Sequence, residues 1–239
     1  METVVNALML RAVDYNENDK ILTLLSAERG KISAGIRGVK KAAARLKFAA
    51  QPFCFAEYVL AVRGGKYTVI NASENESFYD LRTDVNKFYA ASAVSEAAMA
   101  LTYEGDECRG IFYAAVKALS EMCGANESEA LISFLLSALQ QSGYGVRADG
   151  CLICGAPLED EVRLKFDMDT GAFTCCGCGT GSGASGTTYN VIRKLSGKSY
   201  RQQLISADGE KRALRLLREY FSYKLNFAFK SLSEYIRLL

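Results

Sequence analysis

A chain of 239 residues with 49% apolar side chains has material for two compact units, each with a core of its own. Its formal charge is only +2, so attraction to an acidic partner must come from local clusters of lysine and arginine. The chain holds no histidine, which removes Ser-His-Asp and Cys-His nucleophilic machinery and every histidine-ligated metal site.

The first eighty residues read as strands. "TVVNALMLRAV", "KILTLLSA" and "KISAGIRGV" are short apolar runs separated by the polar turns "DYNEND" and "ERG". Further on, "PFCFAEYVLAV" and "YTVINA" flank Gly64-Gly65, a pair suited to a two-residue hairpin turn. Five strands in so short a span, curled to avoid open edges, predict a small barrel of the OB type over residues 1–80, with an SH3-like barrel as the alternative.

Between the third and fourth strands lies a basic connection. Arg29, Lys31, Arg37, Lys40, Lys41, Arg45 and Lys47 fall between Arg29 and Ala56 without an acidic residue, a local charge of +7. In an OB barrel this segment borders the groove that tracks a nucleic-acid backbone. Arg37, Lys40, Lys41, Arg45 and Lys47 are therefore the candidate phosphate contacts, with no acidic side chain expected to neutralise them. Gly35 and Gly38 would let the backbone come close to a phosphate. Phe48, Phe53, Phe55 and Tyr58 are nearby aromatics, more suited to a core than to stacking. An ordinary solvated loop is the competing reading.

From about Asp80 the texture becomes helical. "DVNKFYAASAVSEAAMALTYE", "GIFYAAVKALSEMC" and "SEALISFLLSALQQSGY" carry apolar residues three and four apart. Together with segments near 188–196 and 206–227 they predict a helical domain over 81–239. In the last of these Leu214, Leu217, Phe221, Leu225 and Ala228 mark an apolar face, while Arg212, Arg215 and Arg218 sit off it. The class is α+β, a barrel followed by a helical domain with an insertion at 148–182.

That insertion contains five of the eight cysteines. Cys151 and Cys154 make one CxxC pair, Cys175 and Cys178 a second, with 20 residues between them. Each CxxC lets a tight turn aim two thiolates at one ion, and two such turns supply the four sulfurs of a tetrahedral zinc site. Val162, Leu164 and Phe166 alternate before the turn Asp169-Thr170-Gly171, the layout of a zinc-ribbon hairpin. One structural Zn2+ is the expected cofactor. Cys176 competes with Cys175 as a ligand, and the spacing favours Cys175. A redox CxxC leaves the second pair unexplained, and the His/Cys-x-Glu pattern of a zinc deaminase is absent. The stretch "GTGSGASGTT" beyond the second knuckle reads as flexible. Cys54, Cys108 and Cys123 stand in apolar surroundings as small buried hydrophobes. Thiol usage, the lack of a signal-peptide pattern and the lack of roughly 18 consecutive apolar residues place the chain in the cytoplasm, without a membrane span.

The run "DYNENDKILTLLSAERGKISAGIRGVKK", then "QPFCFAEYVL", the helical second half with its embedded CxxC pairs, and the closing "REYFSYKLNFAFKSLSEYI" together resemble the RecO family of bacterial DNA repair proteins. The resemblance covers nearly the whole chain. It implies a nucleoid-associated mediator without enzymatic turnover and without a small-molecule substrate. Such a protein binds single- and double-stranded DNA, anneals complementary strands, and joins RecR to load RecA onto strands covered by single-stranded-DNA-binding protein. It also implies a site in the helical domain for the acidic C-terminal tail of that binding protein, for which Arg212, Arg215 and Arg218 are candidates. A zinc-stabilised protein scaffold without direct DNA contact is the alternative, with the basic segment meeting an acidic protein tail instead.

Overall fold

The computed structural model describes residues 1–124, 126–179, 181–197 and 205–239. The chain folds as two compact units, Met1–Ala125 and Asn126–Leu239.

The first unit is built on a closed barrel of strand order β1-β2-β3-β5-β4, the order of an OB fold. The strands are β1 (Glu2–Tyr15), β2 (Asp19–Ser26), β3 (Gly30–Ile36), β4 (Phe55–Arg63) and β5 (Lys66–Glu76). β1 is long enough to serve both sides of the barrel, pairing with β4 from Glu2 to Leu8 and with β2 from Ala7 to Tyr15. A register shift between Met9 and Arg11 lets it bend between the two. Closure is made by a parallel pairing, Ala34 with Tyr67, Gly35 with Thr68 and Ile36 with Val69. A parallel neighbour requires a crossover, which is why the basic connection and β4 lie between β3 and β5. Gly64 and Gly65 both have positive φ, as a two-residue hairpin of primed type requires.

Alternation sorts the side chains of β3 cleanly. Ile32, Ala34 and Ile36 are buried in the barrel with Leu22, Leu24, Tyr58 and Leu60, whereas Lys31, Ser33 and Gly35 face outward. Tyr58 is wholly buried, and its hydroxyl donates to the Ala49 carbonyl at 2.9 Å. Phe53 and Phe55 pack edge-on against Phe88 and Phe112, at 5.6 and 5.8 Å. These rings belong to the interior of the unit.

Two helices complete it. α1 (Val85–Leu101) starts on Asp84, whose carboxylate accepts from the N–H groups of Asn86 and Lys87. Its buried side is alanine-rich, so α2 (Arg109–Gly124) can lie close. Their connection is stitched to the β2–β3 turn. The Lys31 N–H donates to the Tyr103 carbonyl at 3.1 Å, Gly105 N–H to Arg29 and Cys108 N–H to Ala27, both at 3.2 Å. The Lys31 ammonium donates to the Met99 carbonyl at 2.9 Å, occupying an acceptor in the last turn of α1.

The second unit contains α3 (Glu127–Gln141), a small sheet of β6 (Arg163–Asp167), β7 (Ala172–Cys175) and β8 (Ser182–Ser185), then α4 (Gly186–Leu195), α5 (Ala207–Leu225) and α6 (Lys230–Leu238). The sheet order is β7-β6-β8. The glycine-rich stretch expected to be flexible is a strand from Ser182, pairing with β6, and turns into α4 at Gly186. Small residues are used there because β8 runs tightly past its neighbour: a Cβ on Gly181 would lie 2.2 Å from the Phe166 carbonyl oxygen. Leu164 and Phe166 point inward as alternation predicts, but Val162 precedes β6 and is exposed. α5 stops at Leu225 because Asn226 adopts a left-handed conformation, so Ala228 falls outside the helix and is exposed. The chain then enters α6, a helix the apolar spacing did not separate from α5.

Candidate metal centre and nucleic-acid groove

The β6–β7 hairpin is anchored by aromatic packing. Phe166 and Phe173 meet edge-on at 4.9 Å, Phe166 reaches Tyr220 of α5 at 5.5 Å, and Phe173 reaches Tyr189 of α4 at 5.1 Å. The Tyr189 hydroxyl donates to the Ala148 carbonyl at 3.0 Å, and Arg193 forms an ion pair with Glu159. These interactions hold the segment before β6 against α4. The first knuckle is thereby set beside the second, where Leu152 N–H donates to Phe173 and Cys175 N–H points at the Cys151 sulfur at 3.4 Å.

The result is a cluster of Cys151, Cys154, Cys175 and Cys178, whose sulfurs all lie within 4.8 Å of one another. Cys151 to Cys175 is 3.8 Å and Cys154 to Cys175 is 3.9 Å, too long for disulfides. A zinc ion about 2.3 Å from each of four tetrahedral sulfurs sets sulfur–sulfur edges of about 3.8 Å, so the donor set fits that ion. Backbone N–H groups of Cys154 and Cys175 hold the Cys151 thiol down to about 6. Hydrogen bonds with Cys175 and Cys154 push Cys178 up to about 12. Sulfurs this close resist ionising together, and a dication is what allows all four to be thiolates. Cys176 is turned out of the cluster, its Sγ–H donating to the Arg163 carbonyl at 3.2 Å.

On the barrel, Arg37, Lys40, Lys41, Arg45 and Lys47 are all exposed. The expectation that no acidic group neutralises them is corrected by the fold, because β1 and the start of β2 bring carboxylates to them. Lys40 pairs with Asp14 at 2.7 Å, and that pairing, with Lys20 beyond it, holds the Asp14 carboxyl below its ordinary range. Gly38 N–H donates to Asp19 at 2.8 Å, and this bond with Arg37 and Lys41 nearby lowers that carboxyl too. Lys47 donates to the Ala42 carbonyl within its own loop.

A groove of about 800 Å³ runs over the outer face of β2 and β3. One end gathers Tyr15, Lys20 and Arg37, and the other Glu28, Arg29, Lys31 and Glu104, while Lys66 stands between them, level with Ser33 in the β3–β5 pairing. Of the five candidate phosphate contacts only Arg37 lines it; Lys41 borders an adjoining crevice with Arg37 and Asp19. Lys20, Lys66 and Tyr15 escaped the sequence reading because none lies in the basic run. The hairpin glycines before Lys66 and the turn after Tyr15 were the signals available, since loops at these places flank an OB groove.

In the second unit Arg212 and Arg215 border a hollow of about 520 Å³ with Arg163, Val162, Met168, Leu216 and β8. Arg212 is paired with Asp208 at 2.8 Å. Arg218 stands apart from this hollow, 3.7 Å from Glu219.

Residues 1–78 match the family model described as Recombination protein O N terminal, and residues 82–233 match Recombination protein O C terminal. A protein from Desulfitobacterium hafniense named DNA repair protein RecO is 33% identical over 208 residues, covering 86% of this chain and 74% of that one. Proteins of the same name from Desulforamulus reducens and Clostridium perfringens are 31% and 29% identical, over 95% and 80% of this chain and 91% and 79% of theirs. With the two family models matched in chain order over nearly its whole length, and relatives of that name more than 30% identical, the chain belongs to the RecO family of recombination and DNA repair proteins.

Proposed function

We propose that this chain is a recombination mediator that acts by binding rather than by turnover, holding single- and double-stranded DNA on its barrel. The observation that carries the reading is the groove, in which Lys20 and Arg37 converge at one end beside the exposed basic connection and Lys66 stands further along the same groove. Cations that come from separate elements at the mouth of an OB groove suit a phosphate backbone, which they hold without reading sequence. Arg37, Lys40, Lys41, Arg45 and Lys47 extend that track along the loop. Membership of the family supports annealing of complementary strands and, with RecR, loading of RecA onto strands covered by single-stranded-DNA-binding protein. It also supports a cytoplasmic, nucleoid-associated setting. One zinc ion held by Cys151, Cys154, Cys175 and Cys178 would serve as a structural cross-link, since four protein ligands leave no position for a reacting water.

Exchanging Arg37 and Lys66 for glutamate, and separately Lys40 and Lys41, is expected to weaken binding to unrelated sequences about equally. The slope of log affinity against log salt should fall by on the order of one unit for each phosphate that is no longer neutralised. Anisotropy titrations at several salt concentrations measure this. Unchanged affinity and slope in both folded double variants would remove DNA from the barrel, and a shallow wild-type slope would favour an acidic protein partner.

The hollow beside β8 is our candidate seat for the acidic C-terminal tail of single-stranded-DNA-binding protein. Arg163, Arg212 and Arg215 offer charge, and Val162, Met168 and Leu216 an apolar floor. Arg212→Glu combined with Arg215→Glu should lower the affinity of the full chain for a tail peptide by about tenfold or more. Retention of wild-type affinity places the tail elsewhere.

A further inference from the structure

Gly35 is a glycine that folding does not ask for. Its φ lies outside the left-handed range, and a Cβ there would meet nothing closer than the Tyr67 carbonyl oxygen, at 4.0 Å. Glycine inside a strand is less stable than alanine by roughly 0.5–1 kcal/mol, and in such a position it often marks the close approach of a ligand. Gly35 faces outward on β3, opposite Ile21 on β2 and Thr68 on β5. Next across the sheet, Val13 of β1 pairs with Ile21 and is 44% exposed, and Tyr15 pairs with Asp19 and is 55% exposed. Two strand spacings of about 4.8 Å separate β1 from β3, so Ile21 and Gly35 form a shallow floor about as wide as a nucleobase, bordered on the β1 side by Val13 in the same row and by Tyr15 in the next row along, where it lines the groove. Arg37 and Lys66 stand exposed at the rim of the same groove.

We propose that this floor seats an unpaired base, stacked on Tyr15 and lying over Ile21 and Gly35, while Arg37 and Lys66 hold the flanking phosphates. The inference rests on the reading of the groove as a DNA site and adds what it selects. A phosphate track alone treats single strand and duplex alike. A base seat favours bases free to leave a stack, because a paired base presents no open face. The aromatics first suggested by the sequence are engaged elsewhere: Phe53 and Tyr58 are buried, Phe48 packs against the barrel core and Phe55 against Phe112.

The test uses the full chain with three probes of equal length: a thymidine single strand, an abasic single strand and a duplex. Wild type should bind the thymidine strand more tightly than the abasic one. Tyr15→Ala and Gly35→Val should each weaken the thymidine strand roughly 10- to 100-fold, the range expected for removing one base–aromatic stack. Binding of the abasic strand and the duplex should fall far less than binding of the thymidine strand, and the salt slope should stay near its wild-type value. If Gly35→Val fails to fold, Gly35→Ala and the exposed Tyr15→Ala carry the comparison. Equal loss on thymidine and abasic strands, or no loss on either, overturns the base seat. Should Arg37→Glu with Lys66→Glu weaken all three probes while these variants change none, the seat alone falls. A wild-type chain that binds none of the probes refutes the DNA reading and the seat with it.

Discussion

Replacing Cys151 with serine is expected to drop the zinc content from one equivalent to well below half and to destabilise the second unit by several kcal/mol. Structural zinc contributes about 10–16 kcal/mol in isolated finger peptides, comparable with the whole stability of a typical domain, about 5–15 kcal/mol. Here the loss should be smaller than that of a finger peptide. The hairpin between the knuckles has its own apolar anchor in Phe166, Phe173, Tyr189 and Tyr220, all wholly or almost wholly buried. The knuckles have no such anchor, with Leu152 and Ile153 exposed. Hydrogen exchange should therefore rise first around 151–155 and 175–179, and less in β6 and α5. Cys176→Ser should retain the metal, because that thiol faces the Arg163 carbonyl and not the cluster. Elemental analysis of protein purified without chelator measures the content. Stoichiometric zinc in Cys151→Ser, or a zinc-free wild type with an unchanged melting curve, would contradict the assignment.

Gly30→Ala should be the most damaging single methyl group in the first unit, on the order of 3–5 kcal/mol. Gly30 opens β3 directly after the β2–β3 turn with φ of +61°, where any Cβ is strained. That Cβ would also lie 2.4 Å from the carbonyl oxygens of both Tyr103 and Asp106, which are backbone and have no rotamer to change. Making room means breaking the stitches from Lys31, Gly105 and Cys108 that join the barrel to the α1–α2 connection. Thermal unfolding should shift down by about 10 °C or more. Gly35→Ala, five residues along the same strand, should change stability by less than about 1 kcal/mol. Similar melting of the two variants would show that the α1–α2 connection is not locked to the turn.

The strand and helix layout was largely legible in the sequence because it rests on local periods. Short apolar runs between polar turns marked β1 to β5, three- and four-residue spacing marked α1 to α3, and Asp84, Asn126 and Ser206 are side-chain caps at helix starts. The knuckle spacing pointed to the sulfurs that the structure gathers within 4.8 Å. β8 escaped, since serine, glycine and alanine have weak strand preference. Their pairing is decided by the partner strand.

By itself, then, the sequence determined most of the elements, their order and the pairing of the two CxxC turns, all of which depend on residues close in the chain or on one chemical type. The tertiary structure alone decided which charges and which glycines matter. The basic run contains no acid, yet folding sets Asp14 on Lys40 and Asp19 against Gly38, and brings Lys20 and Lys66 from other strands to the groove that Arg37 lines. Gly30 and Gly35 look alike in sequence, but one is enclosed by carbonyls from residues more than seventy positions away while the other opens on solvent. Charge and steric fit are set by distance in space, and barrel closure brings together residues that are far apart in the chain.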